Sequence, residues 1–366
     1  MIQGRAVSRD PIRLGIIGCG KVLSGPYRPV LGGLLAEGSV ELIVACDMQP
    51  EREAFLRETF GATRFTTDHR EVVAADDVDV ILVLTPPATH AALAIEALTA
   101  GKHVLVEKPV ALGLDDAQRV LRVASTSPGH LICAPFVELS PTFQAIHDAV
   151  SAGRIGRVLS ARAIYGWAGP DWGPWFYRGD GGGPMFDLGV YNLTTLTGLL
   201  GPVRRVAAMS AIAVPTRHVD GVPIAVEVDD NFQVLLDFGD SVFGVLTTGF
   251  TIQQLRTPAV ELYGSTGTIQ MLGADWQPAG YESWENEIGA WTLVEETEPD
   301  WKYADGLRHL VESIRADVPP VLRPDHAVHV LEIMLLALQA GRDGLTHAVT
   351  TSFERHHDAP PPVPLT

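Results

Sequence analysis

Cysteine is nearly missing from this 366-residue sequence: there are 3, too few for a disulfide framework and without the spacing of a metal site. Cys19, Cys46 and Cys133 each lie in or beside an apolar run, where a small buried packing residue is the expected role. Long hydrophobic runs are also missing. None approaches the ~18 to 20 residues of a membrane span, and residues 1–10 have neither the apolar segment nor the cleavage site of a signal peptide, so a cytoplasmic protein with no membrane partner is expected. Positive charge is scarce, with 27 Lys and Arg against 44 Asp and Glu and a net charge of −17. That surface repels polyphosphate backbones, which argues against nucleic acid as a general partner. No internal repeat is found.

What is present is globular in composition, 46% apolar and 19% charged. Single cores stop growing at about 250 to 300 residues, so two domains are predicted, 1–135 and 136–366. The first begins with an apolar strand, residues 13–18, that runs into Gly18-Cys19-Gly20-Lys21-Val22 and then a helix-compatible segment to Glu37. A glycine turn between strand and helix lets a pyrophosphate reach the free N–H groups of the helix end. An ordinary strand-to-helix turn fits the same residues. Leu23 stands where a third glycine is usual, and Gly25 and Pro26 predict a late or irregular helix. The next strand, Val40–Cys46, ends in Asp47, a carboxylate suited to both ribose hydroxyls of NAD or to capping a helix near Pro50. Arg52 fits adenine stacking or a phosphate, which keeps NADP open beside NAD.

A third unit follows: a short helix over 68–75, a buried strand over 78–84, the loop Thr85-Pro86-Pro87-Ala88-Thr89-His90, and a helix over 91–100. The loop hydroxyls are uncharged donors; helix-start punctuation with Thr89 as cap is the structural alternative. The run Val104-Leu105-Val106 then closes on Glu107-Lys108-Pro109. A Lys at the carboxyl end of a parallel strand points into the crevice where ligands bind, unless a neighbouring carboxylate takes it as an ion pair.

Past a crossing at Phe136-Val137-Glu138, the stretch 167–178 packs Trp167, Trp172, Trp175, Phe176 and Tyr177 among glycines and prolines. Such a loop suits stacking on a sugar ring, a hydrophobic plug or an oligomer contact. Gly181-Gly182-Gly183-Pro184 bends into a helix reaching Leu200, with Asp187 and Tyr191 four apart and so on one face. Alternation over 205–213, 226–238, 241–250 and 259–272 predicts long antiparallel strands, and 282–300 a surface hairpin or loop. Helices are expected over 301–316 and 325–341, and an extended tail over 360–366. His326, His329 and Glu332 are spaced for one helical face, as core or interface residues or as part of a metal site.

Four of these stretches, Gly18-Cys19-Gly20-Lys21-Val22, Asp47, Thr85-Pro86-Pro87 with His90, and Glu107-Lys108-Pro109, together resemble the amino-terminal half of the Gfo/Idh/MocA oxidoreductases, the glucose–fructose oxidoreductase and inositol dehydrogenase group. The resemblance extends over about residues 12–345. It implies an α/β Rossmann domain with a doubly wound parallel sheet. It also implies an α+β domain whose large, mostly antiparallel open sheet forms a homo-dimer or tetramer. The implied activity is NAD(P)-dependent hydride transfer at a secondary alcohol of a sugar, polyol or cyclic diol. Cofactor contacts are then expected at Gly18, Gly20, Lys21, Val22, Asp47, Arg52, Thr85, Pro86, Pro87, His90, Glu107 and Lys108. Substrate contacts are expected at Trp172, Trp175, Phe176, Asp187 and Tyr191, with Lys108, Asp187 and Tyr191 catalytic and no metal.

The sequence departs from the family pattern in two places. Where the pattern places His four residues after Asp187, this chain has Tyr191, as in the glucose–fructose oxidoreductase and dihydrodiol dehydrogenase branches. A phenol of reference pKa ~10 needs a cation to act as a base near neutrality, and Lys108 is the expected one; an inert packing aromatic is the alternative. The crossing, with Val137 and Glu138, lacks the Asn or Arg common there. Some relatives cleave glycosides by oxidation, elimination and re-reduction, and one sharing the fold is a non-catalytic regulator; both remain rival readings.

Overall fold

The computed structural model describes residues 10–179, 181–294 and 301–354; the expected tail at 360–366 and the end of the 282–300 segment lie outside them. The chain divides into two compact units. One comprises Met1–Ala111, Asp115–Phe136 and Lys302–Pro324, and the other Leu112–Leu114, Val137–Trp301 and Asp325–Thr366.

In the first unit, short apolar runs become β1 (Ile12–Ile17), β2 (Val40–Cys46), β3 (Arg64–Thr66), β4 (Val80–Val83), β5 (His103–Val106) and β6 (Leu131–Cys133). All are parallel among the described residues, in the order β3-β2-β1-β4-β5-β6. Helices α1 (Arg28–Ala36), α2 (Arg52–Phe60), α3 (His69–Val73), α4 (His90–Thr99) and α5 (Leu114–Ala124) connect them. Every residue of β4 is buried, as a strand covered on both faces requires, and this is why the sequence shows a continuous apolar run instead of alternation. The order reverses between β1 and β4, so the crevice at their carboxyl ends is the topological switch point. The irregular helix start is present: Leu23–Tyr27, with Pro26 inside, forms a π-helical turn before α1.

One segment differs from expectation. Residues 302–324 were placed in the second domain, but they belong to the first unit. The helix Gly306–Ala316 packs on α1. Arg308 grips Glu37 through both nitrogens at 3.0 and 2.9 Å, and Arg315 donates to the Ser39 carbonyl. A Cβ on Gly306 would fall 2.4 Å from the Phe136 ring, so only glycine permits the approach.

The second unit begins with α6 (Pro141–Ser151), β7 (Val158–Gly166) and α7 (Val190–Leu200), followed by β8 (Arg205–Ala211), β9 (Thr216–Val219), β10 (Val222–Ala225), β11 (Asn231–Gly239), β12 (Val242–Gly249), β13 (Val260–Gly264), β14 (Gly267–Ala274), β15 (Gln277–Glu285), β16 (Ala290–Val294) and β17 (His347–Ala348). Its main sheet runs β16-β15-β14-β13-β7-β12-β11-β8-β17 among the described residues, antiparallel except for β7 with β12. The segment 259–272, expected as one strand, is two. Its Ser265-Thr266 turn is flanked by Gly264 and Gly267, where a Cβ would strike Ile155 and Trp284 backbone oxygens. The β9–β10 hairpin was not foreseen. One face of the sheet carries α7 on β7 and β12 and α6 on β15; the other exposes Met209, Leu235 and Phe243 at 79%, 58% and 53%.

The helix Pro324–Asp343 uses its polar residues as fasteners. His326 meets Glu138 at 2.5 Å and Thr197 at 2.6 Å, His329 accepts from the Val203 amide, and Glu332 accepts from the amides and hydroxyls of Thr350 and Thr351. Among the described residues, no group of three or more His, Cys, Asp or Glu is arranged to hold a metal ion. None of their helices is long and apolar enough to cross a membrane.

Candidate functional site

Two sets of candidate residues exist, one in each unit. In the first, Gly18 ends β1 with φ +94°, and a Cβ there would lie 2.7 Å from the Leu84 carbonyl. Glycine is therefore obligatory, because the turn after β1 presses on the end of β4. Gly20 is different: nothing lies within 4 Å of where its Cβ would be. The packing of the described residues therefore does not require glycine there. Asp47 reaches back to this turn. Its Oδ2 accepts from the Cys19 amide at 2.8 Å and its Oδ1 from the Gln49 amide at 2.9 Å. A carboxylate has about four acceptor positions, so each oxygen retains capacity for a hydroxyl. The capping alternative is met only in part, because α2 starts later, after Glu51. Arg52 is close enough to act on the Cys19 thiol, which burial pushes up to about 12. Lys21 is exposed and Val22 half-buried at the helix entry.

On the other side of the switch point, Pro86 is exposed and Pro87 buried. The Thr89 hydroxyl lies 2.7 Å from the Thr85 hydroxyl and 3.1 Å from the Pro86 carbonyl, so it braces the loop and makes no side-chain cap of α4. His90 and Glu107, both expected to touch cofactor, are 1% and 7% exposed. The two ring nitrogens of His90 lie 2.7 Å from the carbonyls of Thr85 and Pro109. Glu107 accepts from the Tyr27 hydroxyl at 2.9 Å and from the Lys108 amide at 3.1 Å. These two residues fix the loops from behind, while Lys108 stays half-buried at the end of β5.

In the second unit, Pro184 leads into a π-helical turn, Met185–Gly189, that runs directly into α7. Asp187 lies in the wide turn and Tyr191 on the first turn of α7 just after it. What relates them is a residue the sequence reading passed over. Tyr165, near the end of β7, meets the Tyr191 ring edge-on with centroids 6.2 Å apart, and Asp187 acts on its phenol electrostatically. Burial first, then Asp275 and Asp187, push the Tyr165 pKa up, so it remains a hydroxyl. Asp275, between β14 and β15, is also new. It is 1% exposed, accepts from the Asn192 amide at 2.6 Å, and burial pushes its pKa up to about 7. Tyr165 ends a strand already read from sequence; Asp275 left no sequence signal.

The aromatic loop is ordered by its own rings. Phe176 is stacked on Trp175 at 3.8 Å and meets Trp172 edge-on at 4.8 Å. Phe176 is 5% exposed, so it supports the two half-buried tryptophans and offers little face to a ligand. The β9–β10 hairpin closes over the cluster with Val219 and Ile224. Arg217 bonds the carbonyls of Ala168 and Phe250 and pairs with the fully buried Asp230 at 2.9 Å.

Residues 12–133 match the oxidoreductase family GFO/IDH/MocA, NAD-binding Rossmann fold, and residues 143–270 match the GFO/IDH/MocA C-terminal domain. The chain is 30% identical over 275 residues to dTDP-3,4-didehydro-2,6-dideoxy-alpha-D-glucose 3-reductase of Actinomadura kijaniata, covering 75% of this chain and 78% of that one. It is 27% identical over 258 residues to D-glucoside 3-dehydrogenase of Escherichia coli (strain K12), covering 68% and 72%. Levoglucosan dehydrogenase in complex with NADH and levoglucosan superposes with a TM-score of 0.83 at 18% identity, over 93% of this chain and all of that one, a likeness of fold.

Proposed function

Because the chain belongs to the GFO/IDH/MocA oxidoreductase family, with an NAD-binding Rossmann domain as its first unit, we propose that it transfers hydride between NAD and a secondary alcohol of a sugar, polyol or cyclic diol, in the cytosol. The observation that carries the reading is the phenol of Tyr191. It is 9% exposed on the first turn of α7 and set edge-on to Tyr165, a second phenol that burial keeps protonated.

NAD, when bound, supplies the two-electron redox partner. The turn at Gly18 and Gly20 receives the pyrophosphate, Asp47 takes the ribose hydroxyls, and the Thr85–Pro87 loop lines the nicotinamide end. Tyr191 Oη takes the proton of the reacting hydroxyl, and the same atom returns it in the reductive direction. Lys108 is the proposed donor to the substrate oxygen. Asp187 orients the substrate, and Trp172 and Trp175 offer ring faces to its C–H side. The exposed sheet face with Met209, Leu235 and Phe243 is the surface for a homo-oligomer.

The test is a panel of polyols, sugars and glycosides incubated with NAD, following NADH formed against alcohol consumed. One NADH per alcohol oxidised supports the reading. Glycoside cleavage without NADH accumulation replaces it with the redox-neutral reaction, and NAD binding without turnover on any member replaces it with a sensor. Tyr191→Phe is expected to lower kcat by about 100-fold or more with NAD binding unchanged, the scale of a lost proton-transfer group.

A further inference from the structure

The side chain that fastens the two cofactor-facing loops of the first unit together is His90, and its bonding fixes its charge. Its Nδ1 lies 2.7 Å from the Pro109 carbonyl oxygen and its Nε2 2.7 Å from the Thr85 carbonyl oxygen. Neither oxygen has a proton to give. A neutral imidazole carries one N–H and one lone pair, so in that form one of these contacts would set a lone pair against a carbonyl oxygen at hydrogen-bond distance. Only the doubly protonated ring satisfies both.

We propose that His90 is held as an imidazolium inside the first unit, and that this cation ties the Thr85-Pro86-Pro87 loop to the Lys108-Pro109 turn as a positioning residue for Lys108. Burial is the largest influence on the ring and lowers its pKa on balance, towards the neutral form, although the Pro109 and Thr85 carbonyls raise its basicity. The charged groups acting on it are Glu107, which stabilises the cation, and Lys108, which opposes it. Glu107 is anchored for that purpose, since Tyr27 and the Lys108 amide hold its two oxygens. The charge therefore rests on the donor count, because the water lost on burial is replaced by two carbonyl dipoles aimed at the two N–H groups. His90 is 1% exposed. It acts through the backbone by setting the separation of the ends of β4 and β5, where Lys108 is presented.

The positioning half of this inference rests on the function proposed for Lys108; the charge does not. The full chain with 15N-labelled histidine is examined by NMR from about pH 6 to about pH 9, a window that spans the ~6.5 reference pKa of histidine. His90→Gln, or His90→Asn if the first variant does not fold, identifies the resonances among the 12 histidines. Both His90 ring nitrogens are expected to carry protons across the range. A pyridine-type, unprotonated nitrogen at about pH 8 overturns the charge whether or not the protein turns over any substrate. In an active preparation, His90→Gln is expected to lower kcat by between about tenfold and 100-fold, the scale of a misplaced reacting group. A fall in Tm with kcat intact overturns the positioning role and leaves His90 a structural tie. Absence of turnover in the parent chain as well indicts the proposed function instead.

Discussion

Replacing Asp275 by Asn is expected to stabilise the chain at alkaline pH, although it removes a buried, hydrogen-bonded carboxylate. Asp275 is 1% exposed between β14 and β15, and burial raises its pKa from 3.8 to about 7 against the opposing hydrogen bond from Asn192. The sign follows from where the proton sits. Between those two values the folded chain keeps a proton that the unfolded chain gives up, so stability falls as pH rises through the window and levels off above about 7. Moving a carboxyl from 3.8 to about 7 corresponds to about 4 kcal/mol at ~1.4 kcal/mol per decade. Of that, ~3 kcal/mol develops between about pH 5 and about pH 8.5. An amide in the same place carries no charge, keeps an acceptor for Asn192, and adds an N–H2 group. Asn192 Oδ1, buried without a hydrogen-bond partner in the protein, is an acceptor such a group can use. Urea titrations of parent and Asp275→Asn at the two pH values measure the difference at constant temperature. The advantage of the variant should be ~3 kcal/mol larger at about pH 8.5 than at about pH 5. An equal difference at both values, or a variant weaker than its parent in alkali, would show that Asp275 is ionised in the fold and held by something stronger than Asn192.

Two glycine substitutions separate folding from binding. Gly18→Ala meets the Leu84 carbonyl at 2.7 Å with φ +94° and should cost ~1–3 kcal/mol of stability. Gly20→Ala meets nothing within 4 Å and should leave Tm unchanged while weakening NAD binding in a fluorescence titration; an unaffected affinity would place the pyrophosphate elsewhere. Arg217→Met strands Asp230, which is 0% exposed, at a cost of ~3–5 kcal/mol in denaturant unfolding. Because the same guanidinium holds Ala168, KM for substrate should rise more than kcat falls. Leu235→Glu with Phe243→Glu places two charges on the open sheet face, and light scattering should then report a smaller species than the parent; an unchanged mass would remove that face as an interface.

The sequence was most readable where a single physical requirement ruled. Strand Val40–Cys46 was bounded to the residue, since its run Leu42–Cys46 is apolar and buried throughout. The disturbed entry to α1 followed from Gly25 and Pro26. Elements that depend on distant partners were not readable. Strand β3 has three residues and none is fully buried; it exists because β2 offers it an edge. The polar β9–β10 hairpin takes its apolar side from Val219 and Ile224, which carry meaning only beside the aromatic loop. The return of residues 302–324 to the first unit rests on an Arg308–Glu37 pair 271 positions apart. At the candidate site, residue types carrying chemistry were visible, but their supports were not. Tyr165, Asp275 and the inward turn of His90 are properties of packing, which pattern and spacing do not encode.

The wide turns at Leu23–Tyr27 and Met185–Gly189 amount to one surplus residue wound into each helix entrance. Each successive residue of a regular helix advances about 100° around the axis. A chain shortened by one between Asp187 and Tyr191 would thus wind evenly, and its carboxylate would swing a large fraction of a circle away from the neighbouring phenols. Spacing at these entrances behaves as an angular setting, so an insertion or deletion of one residue there should change chemistry more than many substitutions elsewhere.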